Sequence, residues 1–196
     1  MPDLALQCRA SSTRQGNLRL RLPDELGWWV LAGATVVAMG GWLALLGRPW
    51  LPEGALRFWN SDLRPMHNSQ HFADGYSLLH LSFGALVLAL TRQFNPALGS
   101  GRLALTLVAS AVTWEAIENL PAVVVLFNPP GGQSSYGGDS IINALGDVLF
   151  AATGFALARR LSPRMLWTMI IGIELACAAL LGDGLLWGTV RLIGSL

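Results

Sequence analysis

LALTLVASAVTWEAIENLPAVVVLF (103–127) is the stretch on which the reading of the fold turns. At a rise of 1.5 Å per residue, about 20 mostly apolar residues cross the hydrocarbon core of a bilayer. This run is that long, contains no basic residue, and carries two acidic ones, Glu115 and Glu118. It lacks the polar–apolar alternation over about 10 residues that marks a barrel strand. In lipid the backbone must satisfy its own hydrogen bonds, and a helix does so within one segment. The run therefore reads as a membrane-spanning helix.

Four more runs read the same way: 28–47, about 71–91, 139–158 and 165 to about 190. The predicted fold class is all-α, a polytopic membrane helical bundle of about five transmembrane helices. Residues 1–27 read as an Arg-rich cytoplasmic tail and 28–196 as a single transmembrane helical domain. Composition agrees. The 196 residues are 53% hydrophobic and 13% charged, with mean hydropathy +0.47, whereas soluble domains carry about 25% charged residues. The first run lacks a small-x-small cleavage site, which favours a span over a removed signal peptide. A net charge of +1 gives no footing for nucleic acid. Cys8 in the polar tail and Cys177 in an apolar run suit neither a disulfide nor a zinc site.

Arginine placement sets the expected orientation. Nine arginines fall on one side, in the tail (Arg9, Arg14, Arg19, Arg21) and in two connections (Arg92 and Arg102; Arg159, Arg160 and Arg164). Four fall on the other, namely Arg48, Arg57, Arg64 and Arg191. This predicts a bacterial inner-membrane protein with a cytoplasmic N-terminus and a periplasmic C-terminus. Trp28, Trp29, Trp50 and Trp59 lie near span ends, as interfacial aromatics do.

Ionisable residues within spans cost roughly 2.5–3.5 kcal/mol each on insertion and are functional suspects for that reason. Here they are His71, Asp74 and His80 in the second run, Glu115, Glu118 and Asn119 in the third, Asp139, Asn143 and Asp147 in the fourth, and Glu174 and Asp183 in the fifth. If 71, 127 and 139 mark the outer ends, His80 and Glu118 lie roughly 13 Å down and Asp147 roughly 12 Å. Asp139, Asn143 and Asp147 step by four and share a helical face, as Glu115 and Glu118 do by stepping three. Pro121 is placed to kink the third helix. The connection NPPGGQSSYGG (128–138) is either a turn-rich loop or a cover for the pocket.

NSQHFADGYSLLH (68–80), WEAIEN (114–119), YGGDSIINALGD (136–147) and GFALARRLSP (154–163) together resemble uncharacterised protein family 0314, a bacterial membrane family. The resemblance covers most of the chain after residue 60. It implies several spans and an inner-membrane location, and no established activity. This chain departs from the pattern at Gly75, where the family has Trp, at Phe83, where a second histidine is expected, and at Gly182, where Arg is expected before Asp183. A fainter similarity, to VanZ-like membrane proteins, rests on an early histidine, a glutamate in the next span, and Asp139, Asn143 and Gly146 on one helix.

The candidate site is His80, Glu118, Asp147, Asp74 and Asn143, with Glu115 and Asp139 next. A carboxyl and an imidazole in a low-dielectric pocket are suited to general acid–base work on a lipid or lipid-linked substrate. His80, Glu118 and Asp147 also make a donor set for a divalent metal such as Zn, Mn or Fe. A nucleophile elbow, an HExxH helix and a P-loop are all missing. Two other readings stay open. Intramembrane acids and histidines serve proton relays in carriers, for which so short a chain would form a homo-oligomer. Polar side chains can also merely join helices, for about 0.6 kcal/mol each; Glu174 and Asp183, as isolated sites, suit that role. His71 is expected at the interface, and Ser69 and Gln70 at the start of a helix.

Overall fold

The computed structural model describes residues 24–62, 64, 67–128 and 136–194. Most of the Arg-rich tail lies outside them, as do Cys8 and most of the Gly/Pro-rich connection at 128–138. The described residues form α1 (Glu25–Leu45), α2 (Ser77–Phe94), α3 (Ser100–Glu118), α4 (Pro121–Phe127), α5 (Ile141–Ala158), α6 (Pro163–Leu181) and α7 (Leu185–Gly194), with no strand among them. Helices α1, α2, α5 and α6 are each long and apolar enough to cross a membrane, and α3 with α4 makes a fifth as a bent pair.

Four of the expected runs are cut differently, each for a local reason. The third is not one helix: α3 and α4 meet at 77°. Pro121 cannot donate a backbone hydrogen bond, so it starts a helix and ends the one before it. Leu120 ahead of it is extended, at ψ 138°. The depth given to Glu118 by counting back from 127 is therefore wrong; Glu118 is the last residue of α3.

The second run begins as a helix at Ser77 and not at 71. Asp74 draws the preceding backbone into a turn, accepting from Ser69 N at 2.8 Å and Tyr76 N at 2.9 Å. Ser69 is held at φ 55°, a left-handed conformation costly for a residue with a side chain. So Ser69 and Gln70 organise a loop instead of starting a helix. The fifth run also splits. Gly182, at φ 69°, ends α6, and α7 restarts at Leu185. The Glu174 carboxylate accepts from Leu185 N at 3.0 Å and Leu186 N at 2.9 Å, closing the start of α7. Glu174 is thus not isolated. With α6 ending at Leu181, it lies in the half of that helix nearer the polar pocket.

The fourth run starts at Ile141, leaving Asp139 just ahead of the N-cap Ser140. The first amides of α5 are all satisfied. Ile141 N donates to Pro49 O, Ile142 N to Trp50 O, and Asn143 N to the Ser140 hydroxyl. The long connection between α1 and α2 therefore seals the top of α5.

α2 and α5 pack backbone to backbone. A methyl group on Gly84 would collide with the Ala151 carbonyl oxygen, and one on Gly154 with that of Leu81. Small residues that allow such an approach are the usual device for joining helices in lipid. α1 lies against α3, where Glu25 accepts from Gly101 N at 2.6 Å and the Ser100 hydroxyl at 2.9 Å. The core is Met39, Leu43, Leu88, Leu107, Ile141, Phe155, Leu166 and Ile170 with interleaved alanines. The bundle has two unlike ends. One carries Arg92, Arg102, Arg159, Arg160 and Arg164, with Arg92 donating to the terminal carbonyls of Ala158 and Arg159. The other carries the polar pocket.

Candidate functional site

Every buried polar side chain among the described residues lies in a connection, in the first two turns of α2 or α5, or in the last turn of α3. The closest group joins three helices. His80 Nδ1 faces Glu115 Oε1 at 3.4 Å, and His80 Nε2 faces Asp147 Oδ2 at 3.7 Å. The Ser77 hydroxyl donates to Asp147 Oδ1 at 2.6 Å. Glu118 completes the group: His80, Glu115 and Glu118 each offer one donor atom, all within 4.8 Å of one another. Glu115 is fully buried, yet neither of its oxygens accepts a hydrogen bond.

A second node supports the first. Asp139 accepts from Asn119 Nδ2 at 2.6 Å and from the Tyr136 hydroxyl at 2.6 Å, and its own amide donates to Asn119 Oδ1 at 2.8 Å. Arg48 donates to the Asn119 carbonyl at 2.6 Å. Burial, and then the neighbouring Asp139 carboxylate, push the Tyr136 phenol well above its ordinary pKa, which keeps it a donor. Gly138 lies at φ 93° with the Arg48 guanidinium where a Cβ would stand, so a side chain there is opposed on two grounds. This node ties the α3–α4 break to the start of α5.

The expected site residues thus separate. His80, Glu118 and Asp147 line one cavity. Asp74 and Asn143 are buried beside it and hold backbone: Asn143 donates to the His71 carbonyl at 2.8 Å, and Asp74 makes the turn before α2. Of the three expected metal donors, Asp147 stands apart on the far nitrogen of His80, and Glu115 takes its place in the close group. His71 is buried beneath the connection, stacked on His67 with ring centroids 5.9 Å apart. The Asn119–Asp139–Tyr136 node was missed as a unit. Its one signal in the sequence is Asn119 two residues before Pro121, where a broken helix frees carbonyls for a side-chain amide.

The cavity has a volume of about 480 Å³. Its polar lining includes His80, Glu118 and Asp147, and its apolar walls include Leu79, Phe83, Leu86 and Trp114. The break between α6 and α7 forms another side, at Leu181 to Leu186.

Residues 43–196 match the model of a family described as a protein of unknown function, DUF2585. The chain belongs to this family. Relatives bear the name UPF0314 protein, the family resembled by the motifs at 68–80, 114–119 and 136–147. The one from Paracoccus denitrificans is 34% identical over 161 residues, 81% of this chain and 82% of the relative. The one from Novosphingobium aromaticivorans is 33% identical over 192 residues, 92% of each chain. The one from Sinorhizobium fredii is 33% identical over 169 residues, 84% of this chain and 85% of the relative. No solved structure matches. Two departures of this DUF2585 chain from the expected pattern have a place in the structure. Phe83 is a cavity wall one turn from His80, so the site here holds one histidine and an apolar ring. Gly75 faces Leu181, whose side chain would have to move for a larger residue.

Proposed function

We propose that this protein is an integral inner-membrane protein whose cavity receives the polar head of a lipid or lipid-linked molecule and acts on it as an enzyme, by hydrolysis or group transfer. The observation that carries this reading is the form of the cavity. Acids and an imidazole lie at its polar part, and Phe83, Leu86 and Trp114 give apolar walls along which a chain can lie. Cavities of this volume and mixed lining are typical of small-ligand sites.

The arginine-rich end is the cytoplasmic one in this proposal, which puts the cavity toward the periplasmic leaflet and the N-terminus inside. The reacting groups are His80, Glu118 and Asp147, with Glu115 behind them. Asp74 and Asn143 hold the backbone that positions them. A proton-coupled carrier is less well supported. A relay needs polar groups across the whole bundle, and toward the arginine-rich end the core is Leu88, Leu107, Phe155, Ala158, Leu166 and Ile170.

The test is the lipid that stays with the protein. The full chain is purified in mild detergent, and bound lipids are identified by mass spectrometry. The same is done for a His80→Ala, Glu118→Ala double variant. The proposal expects one head-group class enriched on the native chain and reduced at least about tenfold in the variant, equivalent to about 1.4 kcal/mol. Bulk membrane composition on both proteins would sink it.

A further inference from the structure

We infer that His80, Glu115 and Glu118 form the binding site for one divalent transition-metal ion, with Asp147 orienting the imidazole from its far side. The inference deepens the reading of the cavity as a functional site and rests on it.

Glu115 is fully buried and both its oxygens lack a hydrogen-bond donor. Buried polar groups are nearly always partnered, and a charged one is costly when it is not. His80 Nδ1 faces one of the two oxygens, at 3.4 Å. A neutral imidazole has one N–H and one lone pair. If the N–H is on Nδ1, the lone pair of Nε2 faces the Asp147 carboxylate. If it is on Nε2, the lone pair of Nδ1 faces Glu115. With both carboxylates ionised, either tautomer sets one acceptor against another.

A cation at Nδ1 resolves the conflict. Nε2–H then points to Asp147, which the Ser77 hydroxyl holds from its other oxygen at 2.6 Å. This is the carboxylate–histidine–metal arrangement in which a second carboxylate fixes the tautomer of a ligand. One imidazole nitrogen of His80, a Glu115 oxygen and a Glu118 oxygen already lie within 4.8 Å of one another. Ligand bonds to Zn²⁺ of about 2.0–2.2 Å then ask only a modest inward movement of side chains. Glu118 borders the cavity, so the ion would keep a coordination position open toward a bound molecule. One imidazole with two carboxylates suits Zn²⁺, Mn²⁺ or Fe²⁺ better than a soft ion such as Cu⁺.

The test uses the detergent-purified full chain, stripped with chelator and titrated with Co²⁺, whose visible absorption reports ligation. The expected result is a saturable band at about one ion per chain, displaced by Zn²⁺. His80→Ala and Glu115→Gln should each weaken binding by at least about 100-fold, and Asp147→Asn by about 10- to 100-fold. Glu53→Gln, at an exposed acid, should leave it unchanged. No saturable band on the unmodified chain overturns the site, as does a band untouched in both ligand variants. Should those variants not fold, X-ray absorption of the Co²⁺-loaded native chain decides. A single imidazole with oxygen ligands upholds the assignment; two or more imidazoles would place the ion at His67 and His71 instead. Lipid retention is read separately. Metal without lipid leaves this site standing and ends the lipid proposal, and lipid without metal does the reverse.

Discussion

Gly154→Val is expected to be among the most damaging single substitutions in the helical bundle. A Cβ at this position would collide with the Leu81 carbonyl oxygen of α2, and the remaining branches of valine would push α2 and α5 further apart. The atom in the way is backbone, so no side-chain rotation relieves the collision. Gly84 sets the same condition from the other helix, against Ala151. Overpacking usually costs about 1–3 kcal/mol, but here a whole helix must shift, which belongs with the exceptional losses above about 4 kcal/mol. For a chain of this size that lowers the melting temperature by more than about 10 °C. Thermal denaturation of the detergent-purified protein, followed by tryptophan fluorescence, measures it. The consequence reaches the site, because α2 supplies His80 and α5 supplies Asp147. A Gly154→Val protein melting like the native one would mean that these helices do not approach as described.

Glu115→Leu has the opposite sign, and that makes it informative. In the metal-free protein Glu115 is a buried acid without a hydrogen-bond donor, so a leucine of similar size removes a desolvation cost and keeps the packing. Replacing buried ionic groups by apolar ones is often stabilising by about 1–4 kcal/mol. The chelator-treated variant should therefore melt higher than the chelator-treated native protein, while losing whatever the pocket binds. Functional sites characteristically trade stability in this way. If Glu115 served only to join α3 to α2 through His80, the variant would melt lower.

The sequence made the bundle legible because apolar length is a strong signal, and all five runs contain helix. It was less informative wherever a run's end depended on a side chain reaching a distant backbone amide. Counting from residue 71 or 139 treats Asp74 and Asp139 as helical, whereas each is used ahead of its helix, Asp74 in a turn and Asp139 on Asn119. The 165–190 run looks continuous because Gly182 and Asp183 interrupt hydropathy only briefly; the Glu174 cap that makes the break stable lies many residues away. His80, Glu118 and Asp147 line one cavity, although the depth count that groups them does not survive the α3–α4 bend. Glu115, placed after Glu118 on the sequence alone, lies against the His80 imidazole. Both acids fit one face of α3, and only the position of α2 decides that Glu115 meets the imidazole.

The central claim is that the cavity holds part of a lipid or lipid-linked molecule, and photochemical labelling tests it most directly. A phospholipid carrying a photoreactive group on its acyl chain is added to the full-length protein in lipid nanodiscs, irradiated, and the adducts mapped by peptide mass spectrometry. The account predicts saturable adducts on the cavity walls, at Leu79, Phe83, Leu86 and Trp114, suppressed by excess unlabelled lipid. Adducts confined to outward positions such as Val30, Val37 and Leu175, which are exposed on α1 and α6, with none on those walls, would contradict it.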